Sequence, residues 1–293
     1  MTEVEKASPP PKRPILDEAR TVEDITGFNQ WKARIWVGGP SGSGKTLLLA
    51  TFPKIFQGVP KPMLLLDYDG RYQTLAGEPG IEVISLFDPD PKSPKAWIKA
   101  ENIRRELWAR ARGDFPYSVV VEDGMTQMGK YAMNWALLLN EKRGLGGVPA
   151  EHHYMPQMKA FSDHVLSMKE LPCHYILNGH LEIIEDKEEG SIKYLPKAIG
   201  KSSRTELPGW FDETYYAWRT AGETIKDGPR YFLTTQGSGK MDFCKSSLNT
   251  RGKYWNDPVR IDFSKEPKGY SWLIAKRFGL SSLGEMIVQE QGE

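Results

Sequence analysis

The chain has little cysteine, no surplus of either charge and no long apolar run, and each shortage removes a class of protein. Two cysteines, Cys173 and Cys244, among 293 residues cannot build a disulfide framework. Both fall in strand-like apolar runs, as buried free thiols of a reducing compartment would. Lys+Arg 39 against Asp+Glu 38 leaves a net charge of +1, which excludes a polybasic nucleic-acid binder, so any such binding must come from a local patch. No apolar stretch approaches the roughly 20 residues of a membrane span. The opening MTEVEKASPPPKRP lacks the apolar core of a secretory signal, so a cytoplasmic setting is expected. His152, His153 and His164 lack metal-ligand spacing, and there is no CxxC or HExxH, so no zinc site is expected. Hydrophobic residues at 39% and charged residues at 26% leave ample material for a sizeable core.

Residues 1–30 carry Pro9, Pro10, Pro11 and Pro14 among mixed charges and show no periodicity beyond a short helical signal at 17–24, so they are expected to form a flexible arm. From Trp31 onward short apolar runs alternate with longer amphipathic stretches. The runs at 33–37, 63–66, 81–86, 118–121, 174–177, 213–218 and 230–234 are strand candidates, continuous in the manner of buried parallel strands. Between them, helical stretches at 44–51, 96–112, 126–143 and 156–171 stop at Pro53, Gly113, Gly144 and Pro172. This alternation predicts an α/β fold with a mostly parallel central sheet and helices on both faces. After Gly179 the rhythm changes. Residues 181–184 and 191–195 around a 186–190 turn predict a hairpin excursion, the later strands follow turns and predict an antiparallel extension, and 271–278 predicts a closing helix. The expected organisation is an arm at 1–30, a core at 31–250 and a C-terminal extension at 251–293.

Gly39-Pro40-Ser41-Gly42-Ser43-Gly44-Lys45-Thr46 fits G-x-x-x-x-G-K-[ST] at every fixed position, with a strand expected before it and a helix after it. The glycines let the backbone curl so that N–H groups converge on a phosphate, and the helix start adds partial positive charge. In that chemistry Lys45 reaches the β/γ oxygens of a nucleotide and the Thr46 hydroxyl ligates Mg²⁺. No NKxD-type guanine-reading segment is present, which favours ATP.

A phosphate loop needs a carboxylate at the tip of a neighbouring buried strand to hold Mg²⁺. The run Ser118-Val119-Val120-Val121-Glu122-Asp123-Gly124 supplies Glu122 and Asp123, and the pattern leaves open which faces the metal, with the following Gly-Met-Thr favouring Asp123. A second run ends Leu66-Asp67-Tyr68-Asp69-Gly70, where Asp69 is the candidate to orient an attacking water, with Asp67 behind it. A third run ends Leu177-Asn178-Gly179-His180, and His180 is the candidate γ-phosphate sensor.

The order of these motifs, followed by Leu207-Pro208-Gly209-Trp210-Phe211-Asp212 before another strand, resembles phage-encoded nucleotide-binding proteins of the RecA-like AAA type, some of which act as recombination ATPases beside single-strand-annealing proteins. The resemblance spans about residues 32–250. It implies a RecA-like P-loop NTPase core, with phosphate and Mg²⁺ on Lys45 and Thr46, Mg²⁺ on Asp123, a water-orienting Asp69 and a sensing His180. It also implies self-association into a ring or filament, a recombination or annealing protein as partner, and single-stranded DNA on loops at 144–157 and 181–200. Asp69 stands where relatives more often have Glu, and Glu122 where an apolar residue is usual. In the first loop His152, His153 and Tyr154 offer rings for stacking. In the second Lys193, Lys197, Lys201 and Arg204 form the more basic half. Lys240, Lys245 and Arg251 are candidates to reach a neighbour's site.

Two other functions fit the same loop. A nucleotide-gated assembly or packaging switch would use the proline-rich arm and the aromatic segment from Tyr254 and Trp255 to Tyr270 and Trp272. A small-molecule kinase would need a converging arginine lid. Arg104, Arg105 and Arg112 instead share one helical arc with Arg110 off it, as on a solvated basic face.

Overall fold

The computed structural model describes residues 27–88, 90, 94–139, 148–186, 190–222, 224, 228–263 and 268–280. The strands are β1 (Arg34–Gly38), β2 (Ile55–Phe56), β3 (Val59–Pro60), β4 (Met63–Asp67), β5 (Ile81–Ser85), β6 (Val119–Asp123), β7 (His174–Gly179), β8 (Leu181–Asp186), β9 (Ser191–Pro196), β10 (Glu213–Thr220), β11 (Arg230–Thr234) and β12 (Val259–Ile261). The helices are α1 (Lys45–Leu48), α2 (Ala96–Arg110), α3 (Met125–Leu138), α4 (Glu151–Met168), α5 (Lys201–Glu206) and α6 (Tyr270–Phe278).

An eight-stranded sheet in the order β12-β11-β10-β1-β7-β6-β4-β5 forms the centre. The strands from β5 through β10 in that order run parallel. At the other edge β11 pairs antiparallel with β10, and β12 antiparallel with β11. The expected α/β core and its antiparallel extension are therefore both present. The phosphate-loop strand β1 and the acid-bearing β6 are not neighbours, because β7 lies between them.

Alternation along each strand divides the interior into two cores. Ile35, Val37, Leu65, Val121 and Ile176 face one side, under Leu48 of α1 and Leu273 and Ile274 of α6. Trp36, Leu64, Leu66, Val120 and Leu177 face the other, under Trp97 of α2, Met128 of α3 and Phe161 of α4.

The structure corrects several local expectations. Phe28, inside the arm expected to be flexible, is buried and stacks on His174 at 5.7 Å between ring centres. The loop expected at 144–157 is helical from Glu151 onward, with His153 Nδ1 accepting the Ala150 N–H at 2.9 Å as a cap; residues 140–147 lie outside the described residues. Pro156 sits inside this helix, where it forgoes one backbone hydrogen bond. The segment 181–200 contains the expected hairpin, β8 paired with β9. Cys173 precedes β7 and Cys244 lies outside any strand; both thiols are free and buried. The helical signal at 17–24 falls outside the described residues. Among the described residues no helix is long and apolar enough to cross a membrane.

Leu65 is fully buried at the centre of β4. Leu65→Ala should lower the unfolding free energy by about 2–5 kcal/mol, measured by chemical denaturation. An unchanged midpoint would contradict the packing described.

Candidate nucleotide site

The site lies where the parallel strands end. Register places Asp67 of β4 opposite Asp123 of β6, and Asp123 opposite Asn178 of β7. One polar row thus crosses three adjacent strand tips on the α1 face. Beside it β1 ends at Gly38, in register with Gly179.

The loop from 39 to 44 turns sharply between β1 and α1. Gly42 and Gly44 take φ of 76° and 84°, a region side chains rarely enter. A Cβ on Gly39 would lie 2.3 Å from the Ala217 carbonyl oxygen, so only glycine allows this approach to β10. Lys45 folds over the loop, its Nζ donating to the carbonyls of Gly39 at 2.8 Å and Pro40 at 2.9 Å. Burial pulls its pKa down to about 8, with Asp123 and then Asp69 opposing the drop. The Thr46 hydroxyl donates to Asp123 Oδ2 at 2.6 Å, spanning the gap over β7. Burial raises the Asp123 carboxyl above its ordinary range, and the Thr46 hydrogen bond works against that rise.

The remaining acids separate by role. Asp67 spends its carboxylate on the backbone N–H groups of Asp69 and Tyr72, both at 3.1 Å, which shapes the turn after β4. Asp69 enters the cleft, and Gly124, with φ of 113°, leaves it room: a Cβ there would meet the Asp69 Cγ at 3.0 Å. His180 Nδ1 lies 3.2 Å from the Gly39 carbonyl and its Nε2 lies 3.9 Å from Asp69 Oδ2. Burial, then the nearby Lys45 charge, lower the His180 pKa, which favours a neutral ring donating through Nδ1.

Glu122 points away from all of this. It is fully buried on the opposite face, where the hydroxyls of Tyr68 and Tyr175 donate to it and His164 Nε2 stands 2.7 Å away. The open question of the acid register is answered by alternation: Asp123 faces the phosphate loop, and Glu122, also a candidate in sequence, lies outside the cleft.

The cleft has a volume of about 310 Å³ and includes Lys45, Thr46, Asp69, Asp123, Asn178 and His180 in its lining. It also holds Asn178, one of the polar residues that end the third run, and two arginines and a tyrosine that sequence reasoning missed. Asn178 is fully buried in register with Asp123, whose carboxyl its side-chain amide helps to hold down. Arg71 donates to the Ser41 hydroxyl at 3.1 Å, and the Arg219 guanidinium lies against Gly42. Tyr231 packs beside Gly44. Arg71 follows Asp69 closely enough to have been suspected; Arg219 is brought in only by the β10–β1 pairing. The cleft lining does not include Lys240, Lys245 or Arg251, and Lys245 pairs with Thr214, at the end of β10 away from Arg219. On α2, away from the cleft, Arg104 pairs with Glu101 and Arg110 with Glu106.

A family model described as an AAA domain matches residues 31–246. The chain belongs to the AAA domain family. A search of curated proteins finds no match. Membership in the AAA family suggests nucleotide binding and hydrolysis, usually with Mg²⁺, and the cleft fits both groups. Its glycine cradle leaves no room for a Cβ at Gly39, the Thr46 hydroxyl and the Asp123 carboxylate suit a hard cation, and the buried Asn178 amide stands beside them.

The charge pair behind the site makes the stability of this AAA domain depend on pH. Burial alone would depress His164, but the Glu122 charge and hydrogen bonds to Glu101 and Glu122 raise its pKa to about 9 from 6.5. The stability it contributes is fully present below about pH 6.5 and is lost as pH rises through 9. Burial would raise Glu101, yet the hydrogen bonds from His164 and Arg104 hold it at about 2 against 4.5, so its contribution is lost as pH falls from 4.5 towards 2. Urea midpoints across this range should fall on both limbs, and His164→Gln should flatten the alkaline one.

Proposed function

We propose that this AAA protein is a Mg²⁺-dependent ATPase. One observation carries the reading: the Thr46–Asp123 hydrogen bond stands beside a glycine-cradled lysine, at the tips of strands that also present Asp69 and Asn178. The loop backbone and Lys45 hold the phosphates, and Thr46 with Asp123 hold Mg²⁺, which when bound neutralises phosphate charge. Asp69 orients the attacking water and accepts its proton at a carboxylate oxygen. Asn178 and His180 read the terminal phosphate from the β7 tip. Arg71 and Arg219 offset the charge that spreads over the transferring phosphoryl group. Lys45→Ala should abolish turnover while leaving the circular dichroism spectrum and melting unchanged; retained hydrolysis would discard the mechanism.

The finer reading is that turnover serves recombination or annealing on single-stranded DNA, with copies of the chain assembling along it, as the family resemblance implies. Its support is the path from the β7 tip. The Lys197 N–H donates to the His180 carbonyl at 2.8 Å, and the Thr126 hydroxyl donates to the Lys197 carbonyl at 3.2 Å, so the base of the β8–β9 hairpin is tied to the nucleotide cleft. Beside it a second cleft of about 630 Å³ presents Lys130 and Lys197 with Tyr154, cations and a ring of the kind that track a strand and stack its bases, while Arg204 on its wall is paired with Glu182 at 2.7 Å. Single-stranded DNA at low salt should raise ATP turnover several-fold and increase particle size in light scattering. Turnover and size both indifferent to DNA, with assembly following nucleotide alone, would favour the assembly switch instead.

A further inference from the structure

The face of the strand tips turned away from the nucleotide cleft carries an arrangement that phosphate binding does not require. Glu122 is fully buried there. Its Oε1 accepts a hydrogen bond from the Tyr68 hydroxyl at 2.7 Å and lies 2.7 Å from His164 Nε2, and the Tyr175 hydroxyl donates to its Oε2. The other nitrogen of His164 lies 2.6 Å from Glu101 Oε1 on α2. One carboxylate therefore joins β6 to β7, to α4 and to the first residue after β4. Its neighbours on this face are otherwise apolar, including Leu66 and Leu177, which stand opposite it in register. A buried carboxylate costs several kcal/mol of desolvation unless fully partnered, so an apolar residue would pack here more cheaply.

The position of its partners indicates what the charge does. Tyr68 stands between Asp67 and Asp69, where the chain leaves the β4 ladder and begins the turn into the cleft. Tyr175 stands three residues before Asn178 on β7. Ladder hydrogen bonds set the height of each strand, but the turn beyond Asp67 is held to β6 by the Tyr68 N–H to the Asp123 carbonyl at 2.9 Å and by the Tyr68 side chain. We propose that Glu122 is a positioning residue for hydrolysis: by gripping Tyr68 and Tyr175 together from beneath, it sets Asp69 and Asn178 at a fixed separation from the Thr46–Asp123 pair. This rests on the ATPase reading above. Displacement of a reacting group by about 1 Å is enough to slow a reaction by roughly 100-fold. The phosphate loop lies on the opposite face and keeps its grip when the tie is cut.

The test uses the full chain with Glu122→Gln, which preserves shape, and Tyr68→Phe, which removes one hydroxyl and leaves the ring. Both should lower kcat by roughly 10- to 100-fold, while KM and the Kd of a fluorescent ATP analogue stay within about twofold of wild type. A crystal structure of Tyr68→Phe without nucleotide should show Asp69 shifted from its place against Gly124. Tyr117→Phe is the control, because it removes a tyrosine–carboxylate bond of 3.1 Å to Glu82, away from the cleft, and should leave kcat unchanged. Wild-type kcat in a folded Glu122→Gln or Tyr68→Phe, or a parallel loss of kcat, affinity and melting temperature, would reduce Glu122 to a structural role. If Glu122→Gln does not fold, Tyr68→Phe decides. Absence of turnover in the wild type would end the ATPase reading, and the position of Asp69 in the Tyr68→Phe crystal would still judge the tie.

Discussion

The hydrogen bond from Thr46 to Asp123 is the contact on which the site depends. It joins the first turn of α1 to the tip of β6, two elements 77 residues apart in the chain. Their strands do not touch, since β7 runs between them, so this bond forms only when all three strands are in register. Moving β6 along its neighbours by one residue would turn Asp123 to the other face and bring Glu122 under the loop. Valines face both cores in either register, so they do not hold β6 in place; the slip is opposed by the contacts of Tyr68, Tyr175 and His164 to Glu122, which it would break.

Each strand tip serves two environments at once. On the α1 face Asp123 and Asn178 line the cleft open to a polar ligand, with Asp67 beside them holding the turn after β4. On the α4 face Tyr68, Glu122 and Tyr175 form a buried knot closed to water. Neighbouring residues in sequence thus have opposite tasks. Asp123 sits with a hydroxyl and a lysine nearby, while Glu122 is held ionised, below its ordinary range despite burial, by the His164 charge and the hydrogen bonds of His164, Tyr175 and Tyr68. A rigid, satisfied underside lets the upper side carry buried polar groups kept for a ligand, such as the Asp123 carboxyl and the Asn178 amide, which in an unsupported position would cost stability without return.

Much of the fold was legible because buried parallel strands write themselves as short apolar runs. The strand at 230–234 is found where it was expected, and the others differ by one or two residues at their ends. The errors have local causes. Helix α4 begins five residues before Pro156, because proline in an early turn forgoes one bond without stopping the helix. Phe28 was hidden in a polar, proline-rich stretch whose composition speaks for disorder; it is held by the rings around His174, all but Trp31 remote in the chain. The strand pair β2 and β3 is too short to leave a periodic signal.

The phosphate loop was determined by the sequence alone, because its chemistry resides in consecutive residues whose φ angles and side chains are set locally: glycine where no Cβ fits, lysine and threonine where the helix begins. The alternating order of apolar runs likewise determined the layered α/β class. What only the tertiary structure decided is which side chains from distant strands share a face and a height. Period-two alternation makes Glu122 and Asp123 equivalent until one face is known to lie under α1. Arg219 joins the cleft only through the pairing of β10 with β1, and Asn178 gains its place only because register sets its buried amide opposite Asp123. These are properties of register and burial, and neither exists until the strands meet.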